Sequence, residues 1–465
     1  MNKETRTQKI AELLDKDAWG HQEIMWEDDL QSLPVYKVRL DYLVYNKYNG
    51  RILSRTESIE QQYGKDYIKA ETEDGKKYIA DLLWESKLDR NKKTKEDIEK
   101  NGQKDVGIIT RDGIIIDGNR RAMLLNRIND EGKVKNRDYF KAIILPVTLD
   151  ENRIEIEKLE TSYQMGADEK LGYNPIEKYL KVKNLKNKGV SVVEISDWMG
   201  ESESTVDEYI AVMKTMDDYL DYMSYNGIYT QLDGREDQFI NLTKWLDTFY
   251  GGGSSKAFDG YTDSDVDDLK LISFDYIRVK YEGKKFRLLG YGLSQNHFFG
   301  NKQTWESFRD AHFKNISPLY DLEEKINLDS PKLTTSLNSR DTDFTNKAEN
   351  LLDDNLSDHQ QKIFNQRYKA EPEKLISKSI DAINVAKVNI NVENPEVMKK
   401  IEELNEITTA IILEKSPMSL LRKVLNLLSL VSIGGHEKDK AELLISVKDV
   451  ESEAYQLEKK IKQLK

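Results

Sequence analysis

The pattern of hydrophobic and polar positions changes about a third of the way along the chain. In the first 150 residues, short apolar runs typical of strands are separated by amphipathic and charged helical stretches. The predicted strands are Val106–Thr110, Gly113–Ile116 and Ala142–Thr148. Asp112 and Gly113 are typical of a tight hairpin turn, so the first two runs are expected to pair. This part of the chain is therefore predicted to be an α+β domain.

Beyond residue 150, helical periodicity dominates. Val192–Met213 has the apolar skeleton of a helix-turn-helix, with Gly200 at the turn. Two short strands are predicted at Phe274–Lys280 and Lys285–Leu289, and Ser330–Asn346 has the polar composition of a linker. We therefore divide the chain into a helical lead-in (1–32), an α+β domain (33–150), a helical helix-turn-helix-like domain (151–220), an α+β middle region (221–329), a linker (330–346) and a helical region (347–465).

The C-terminal segment carries the most regular pattern. Its apolar positions alternate spacings of four and three residues: Leu443, Val447, Val450, Ala454, Leu457, Ile461 and Leu464. This spacing is typical of the seam of a coiled coil, and it predicts a C-terminal coiled-coil-like helix through which the chain forms a homodimer. A single helix packed on its own domain is the alternative interpretation.

Composition excludes several classes of function. The chain has no cysteine, which excludes disulfides, thiolate metal sites and thiol catalysis. Its five histidines are scattered singly, so a zinc site is not expected. The first residues lack the apolar core of a signal peptide, and no apolar run reaches the length of a membrane span. We therefore expect a cytoplasmic protein with no membrane partner.

The net charge of −12 implies that any contact with DNA is local. Two basic stretches are candidates: Lys87–Lys104, and a helix that begins near Asn174. In that helix we expect Lys178, Lys181 and Lys186 to contact DNA phosphates. A solvated helix face is the alternative interpretation for both stretches.

The second helix of the predicted helix-turn-helix is acidic. Glu203, Asp207 and Glu208 lie on it, and the first basic residue is Lys214. Recognition helices read guanines mainly with Arg or Lys, and each uncompensated carboxylate near a phosphate is repelled by about 1 kcal/mol. We therefore expect this element to keep its fold but to read bases weakly or not at all.

The segment Gly113–Ile128, GIIIDGNRRAMLLNRI, combines several features of an anion site. A strand turns sharply at Gly118 into a helix led by Arg120 and Arg121. Free backbone N–H groups, beginning at Asn119, and the positive end of the helix dipole meet two guanidinium groups at this turn. This combination predicts a phosphate-binding site. The alternative is a plain strand–helix corner with solvated arginines.

The order of these motifs resembles the N-terminal domain of the ParB/sulfiredoxin superfamily. The sequence GNRR at Gly118–Arg121 looks like the family's phosphate-binding motif, and NPIE at Asn174–Glu177 matches the opening of the family's next helices. Glu160–Gln164 stands where the family carries a Glu-Asn-x-Gln-Arg-like motif, and Arg51 lies near a nucleotide-contacting arginine. The resemblance, which includes the helix-turn-helix, covers about Leu33–Tyr219.

The resemblance implies a site for CTP or ATP with Mg²⁺. In a nucleotide-bound state Arg51 would contact the nucleotide, Glu160 would be the Mg²⁺ ligand and a catalytic residue, and Gln164 would position water or contact a phosphate. A plain helix carboxylate is the alternative for Glu160. The chain departs from the family at Thr161, where the motif has Asn, and this bears on hydrolysis more than on binding.

The main hypothesis is therefore a ParB-like, nucleotide-binding, DNA-associated protein that acts as a dimer, with a role linked to plasmids, phages or defence. One alternative is a metal-dependent ParB-like nuclease or ATPase that uses Glu160 or Asp117. The other is a non-catalytic assembly factor whose function lies in the helical C-terminal third.

Overall fold

The computed structural model describes residues 1–132, 134, 138–165, 174–323, 326, 333–367, 372–388, 394–415, 417–431 and 439–463. The chain divides into two compact units, Met1–Lys369 and Ala370–Lys465. The first unit contains a five-stranded sheet followed by helices, and the second is helical. This confirms the predicted combination of an α+β region with a mainly helical remainder.

Where it is described, the sheet region contains six α-helices and five β-strands. In chain order they are α1 (Lys3–Leu14), β1 (Gly20–Trp26), β2 (Asp29–Arg39), α2 (Leu53–Tyr63), α3 (Glu73–Glu85), α4 (Leu88–Asn101), β3 (Gly107–Ile109), β4 (Ile115–Asp117), α5 (Asn119–Glu131), β5 (Tyr139–Ile144) and α6 (Arg153–Met165). The strand order is β1-β2-β5-β3-β4. Only the β3–β5 pair is parallel among these, and β4 pairs antiparallel with β3 in the predicted hairpin.

Alternation along β3 and β4 divides the apolar core between the two faces of the sheet. Ile109 and Ile115 belong to the cluster that contains the buried residues of α5. Ile108 and Ile116 belong to the cluster that contains Ile156 of α6. Helices α5 and α6 therefore cover opposite faces, and the strand-to-helix turn lies where β4 ends.

The helical part of the first unit has its own, strongly aromatic core. Its helices are α7 (Pro175–Asn187), α8 (Val192–Met199), α9 (Glu203–Tyr222), α10 (Glu236–Phe249), α11 (Asp263–Arg278), α12 (Gly283–Arg287), α13 (Lys302–Asp321) and α14 (Leu333–Arg367). Helices α8 and α9 lie on either side of Gly200, which has a left-handed conformation with φ 65°. The two helices and the turn of the predicted helix-turn-helix are thus present.

The second unit contains α15 (Pro372–Lys387), α16 (Pro395–Lys415), α17 (Pro417–Leu430) and α18 (Lys440–Lys462). Helix α18 covers the predicted heptad segment up to Ile461, whereas Leu464 lies outside the described residues. Apart from the partly buried Leu443, the apolar side chains of α18 are exposed, with no buried residue among those described on that helix. The helical prediction for this segment is confirmed.

The structure differs from the predicted organisation at three places. The lead-in contains β1 and the start of β2, so the sheet begins before residue 33. The middle region has no strand among its described residues: the segment predicted as a strand at Phe274–Lys280 starts inside α11, where buried Val266, Leu269 and Tyr276 follow helical spacing. The predicted linker, where described, is the first part of α14, because its apolar positions pack on the aromatic core.

No helix in the described ranges combines the length and the apolar composition that a membrane span requires.

Candidate functional site

The strand-to-helix corner is formed by the end of β4 and the start of α5. Gly118 precedes the helix in a left-handed conformation, φ 100° and ψ 15°. No side chain within the described ranges caps this helix N-terminus, and the first helical bond runs from Ala122 N to Gly118 O. The first N–H groups of a helix have no acceptor within the helix itself, so this corner has the donors of the anion site that the sequence predicted.

The corner opens on a cavity of about 420 Å³. Five cationic side chains line it: Arg51, Arg90, Lys104, Arg120 and Arg121. Three carboxylates line it as well: Asp97, Asp105 and Asp117. Cations therefore outnumber carboxylates in this cavity, whereas the whole chain carries a net charge of −12. This local excess of positive charge favours an anionic ligand.

Arg121 is held at the cavity by carboxylates. Its Nη2 lies 2.5 Å from Asp117 Oδ2, and its Nη1 lies 3.5 Å from Asp105 Oδ2. Its Nε is buried and has no hydrogen-bond partner among the residues that the structure describes. Arg120 points its Nε toward Asn91 Oδ1 on α4. Both guanidinium groups are thus fixed beside the cavity, and Asp117 neutralises part of the charge of Arg121.

The predicted nucleotide site requires Arg51, Gly118 and Glu160 to lie in one cleft. In the structure only two of the three share a cavity. Arg51 and Gly118 line the corner cavity, but Glu160 lines a different cavity of about 400 Å³. The Glu160 carboxylate accepts hydrogen bonds from Lys181 Nζ (3.0 Å), Asn46 Nδ2 (3.0 Å) and Gln164 Nε2 (3.1 Å). These contacts place a cation where the predicted Mg²⁺ would bind this carboxylate.

The pKa values of the two carboxylates around Lys181 shift in opposite directions. Burial raises the pKa of Glu160, although the Lys181 ammonium opposes this shift. For Glu157 burial acts in the same direction, but the ammonium groups of Lys181 and Lys188 outweigh it and lower the pKa to about 2. Among the described residues, no group of three or more His, Cys, Asp or Glu side chains has the arrangement of a metal site. The metal role of Glu160 stays a prediction that its surroundings do not favour.

Gln164 and Asn119 position the loop that precedes α2. Gln164 accepts from Gly50 N and donates to Ile116 O, both at 3.1 Å. Asn119 Oδ1 accepts from Asn46 N at 2.9 Å. Both side chains also line the corner cavity. Their hydrogen bonds connect α5, α6, β4 and the loop that carries Arg51, so they maintain the shape of the site.

The predicted DNA-contacting lysines differ in their surroundings. Lys181 is buried between Glu157 and Glu160, so its prediction as a DNA contact is wrong. Its partners lie on α6, 21 and 24 residues earlier in the chain. Lys178 is partly buried and pairs with Glu201 at 3.3 Å, whereas Lys186 is exposed. Only Lys186 among these three lysines is open to solvent.

The sequence analysis did not assign two cations of the corner cavity to the predicted nucleotide site. Arg90 lies on α4 and Lys104 follows that helix, and both line the cavity. They belong to the basic stretch Lys87–Lys104, which the sequence indicated as a candidate for DNA contact. Tyr163 of α6 also lines this cavity. Nothing local in the sequence indicates that α4 lies across from the start of α5.

No protein-family model matches this chain, and no curated protein is significantly similar to it in sequence. The proposed function therefore rests on the geometry of the corner.

Proposed function

We propose that the chain binds a nucleotide through its phosphates at the corner between β4, α4 and α5. One observation carries the proposal: the uncapped N-terminus of α5 opens on a cavity lined by five cationic side chains. Backbone N–H groups at a helix start and guanidinium groups are the donors that phosphate oxygens favour. The volume of about 420 Å³ lies within the range of about 300–1,000 Å³ for small-molecule sites.

The bound phosphates would compete with carboxylates for the arginines. Asp117 and Asp105 hold Arg121 at the cavity, and a phosphate would accept from the first-turn amides and from the guanidinium group of Arg121. The half-buried ring of Tyr163 offers an apolar face to the base or the ribose. The resemblance to ParB-like domains favours CTP or ATP with Mg²⁺ as the ligand.

We expect that replacing both Arg120 and Arg121 with alanine lowers nucleotide affinity about 100-fold or more, because two charge-assisted contacts are removed, each worth about 1.5–3 kcal/mol. The measurement is a titration of fluorescently labelled CTP, ATP and GTP, with and without Mg²⁺. Arg39→Ala is the control, since Arg39 is exposed and pairs with its neighbour Asp41. Absence of saturable binding in the natural chain, or equal affinity in the double variant, contradicts the proposal.

We infer that any association with DNA is through contacts with the DNA phosphates and not through recognition of the bases. The exposed positions of α9 include Glu203, Asp207 and Glu208, so the second helix presents carboxylates to solvent. Exposed cations remain in both stretches predicted to contact DNA, among them Lys186 on α7 and Lys92 and Lys93 on α4. This arrangement supports weak, salt-sensitive binding without sequence preference.

We also propose that the chain forms a homodimer through α18. On this helix Val447, Val450, Leu457 and Ile461 are between 41% and 60% exposed, which leaves the heptad seam uncovered within one chain. Val450→Glu is expected to convert dimers to monomers, because it places a carboxylate in the seam. Ser452→Glu, which adds the same charge outside the seam, should leave the dimer intact. Light scattering distinguishes the two, and a monomeric natural chain would refute the proposal.

A further inference from the structure

Ser307, His359 and Lys362 form a side-chain cluster where α13 packs on α14. Ser307 Oγ lies 2.9 Å from His359 Nε2, and Lys362 Nζ lies 2.9 Å from the same Oγ and 3.0 Å from Nε2. The other ring nitrogen, His359 Nδ1, lies 2.8 Å from the backbone carbonyl oxygen of Asn355. None of these four residues lines the corner cavity.

The hydrogen-bond partners fix the direction of this network. A carbonyl oxygen only accepts, so His359 Nδ1 carries the proton and Nε2 is left as the acceptor. An ammonium group only donates, so Lys362 donates to Ser307 Oγ or, at 3.0 Å, to Nε2, whose single lone pair it shares as a target with the Oγ–H. With Lys362 on Oγ, the Oγ–H donates to Nε2. The serine hydroxyl thus faces a base that is oriented by a third group, and a cation lies beside its oxygen. These are the parts of an activated serine nucleophile.

The two reacting groups, Ser307 and His359, differ in their exposure to solvent. His359 is 4% exposed, and the rings of Phe308 and Phe298 lie 5.5 and 6.2 Å from its ring centre. This burial, together with the Lys362 charge, lowers the pKa of His359 below its ordinary value, so the ring is neutral near pH 7. Ser307 itself is exposed on α13. A base held inside the core therefore meets a hydroxyl that a reagent in solution can reach.

We propose that Ser307 is an activated nucleophile that accepts an acyl group from an activated ester. Ser307 Oγ forms a bond to the acyl carbon while its proton moves to His359 Nε2. The bond between the acyl carbon and the leaving oxygen breaks, and the proton on Nε2 passes to that oxygen. As this bond forms, the electron pair of the C=O bond moves to the acyl oxygen and returns when the leaving oxygen departs; the ammonium of Lys362, which lies beside Oγ, stabilises the negative charge on the acyl oxygen. Because Ser307 is open to solvent, this chemistry makes it a site of acyl modification.

The test uses the full chain and p-nitrophenyl acetate. Release of p-nitrophenolate gives the rate, and peptide mass spectrometry locates the acetyl group. We expect one equivalent of p-nitrophenolate per chain and one acetyl group on the peptide that contains Ser307. His359→Gln should slow this acetylation about 100-fold or more, as expected for loss of a general base, and Ser307→Ala should abolish it. Lys362→Met should slow it without preventing it.

Ser379 provides a matched reference within the same chain. It is an exposed helical serine whose Oγ donates to the carbonyl oxygen of Leu375 at 3.0 Å. Ser379→Ala should leave the rate unchanged. Acetylation of Ser379 as fast as Ser307, modification of Lys362 in place of Ser307, or a full burst in Ser307→Ala would overturn the proposal.

Folding of the variants is checked by circular dichroism, because His359 is buried. Ser307 and Lys362 are exposed, so their variants keep the test decisive even if His359→Gln unfolds. A purely structural role for the cluster predicts altered thermal stability with unchanged acetylation of Ser307. Loss of acetylation at unchanged thermal stability supports activation of the hydroxyl.

Discussion

Replacing Lys181 with methionine is expected to lower the free energy of unfolding by about 3–5 kcal/mol. The ammonium group lies 2.7 Å from Glu157 Oε2 and 3.0 Å from Glu160 Oε2, and all three side chains are buried. Methionine keeps the length and the apolar stem of lysine, so the packing changes little. It leaves two buried carboxylates, with Lys188 on Glu157 as the remaining cation of the group. Equilibrium unfolding in urea measures the loss.

Two further variants separate the buried charge from other effects. Lys186→Met is the matched control, because Lys186 is exposed on the same helix and its replacement should change stability by less than about 0.5 kcal/mol. Adding Glu160→Gln to Lys181→Met should recover part of the loss, since the uncompensated carboxylate becomes a neutral amide. If Lys181→Met is no more harmful than Lys186→Met, the network has no structural role, and Lys181 becomes available again as a ligand contact.

The same variant should depend on pH in a defined direction. Burial raises the pKa of Glu160 above its value in the unfolded chain, so protonation of this carboxylate stabilises the folded state. Without Lys181 this shift becomes larger. Stability is then highest at or below the unfolded pKa of about 4.3 and falls as pH rises toward the folded pKa. The difference between Lys181→Met and the natural chain should therefore be smaller at pH 4 than at pH 8.

Lys181 illustrates what a sequence pattern leaves open. A helix with a lysine at every few positions is typical of a solvated surface, and Lys186 fits that expectation. Lys181 differs because α7 turns this position toward α6, where Glu157 and Glu160 lie one turn apart. The packing of α6 on α7 is a long-range property, and no local signal at Lys181 indicates it. The contact between Ser307 and His359 is also a long-range property, since 52 residues separate the two in the chain.

Elements with strong local signals were predicted well. Asn174 caps α7 with its side chain and Pro175 occupies the first turn, as the NPIE sequence indicates. Gly200 takes the left-handed conformation that ends α8, and the hairpin of β3 and β4 surrounds Gly113. In each case the residue that directs the chain lies directly beside the element that it begins, ends or connects. Element types in the first unit follow from such signals more reliably than the contacts between elements.

The middle region was predicted less well because its composition favours strands. Phe274–Lys280 is rich in aromatic and β-branched residues, yet its first five residues complete α11. The helix buries Ile272, Tyr276 and Ile277 in an aromatic core to which α10, α13 and α14 also contribute. Tertiary packing on three sides decides the conformation here, and local propensity does not.

At the corner, Gly118→Ala is expected to lower the free energy of unfolding by about 2–5 kcal/mol, the sum of a left-handed backbone and an overpacked contact. A Cβ at this position would lie 2.6 Å from Phe140 Cζ and 3.1 Å from Arg121 Nη2, and the backbone φ is +100°. Phe140 lies in the core of the sheet with 0% exposure, so it has little room to move. Thermal and urea unfolding measure the change.

Gly132, at the other end of α5, separates these two causes. It has φ +63°, and a Cβ at this position would meet no atom of the described residues within 4 Å beyond its chain neighbours and its own helix backbone, so Gly132→Ala reports the backbone effect alone. Adding Phe140→Leu to Gly118→Ala should relieve the contact and recover part of the free energy of unfolding that Gly118→Ala loses beyond Gly132→Ala. Because the new methyl group also meets Arg121, the relieved variant should still bind nucleotide more weakly than the natural chain. Equal stability of Gly118→Ala and Gly132→Ala would mean that Phe140 of β5 does not approach the corner closely, and the overpacked contact would be ruled out.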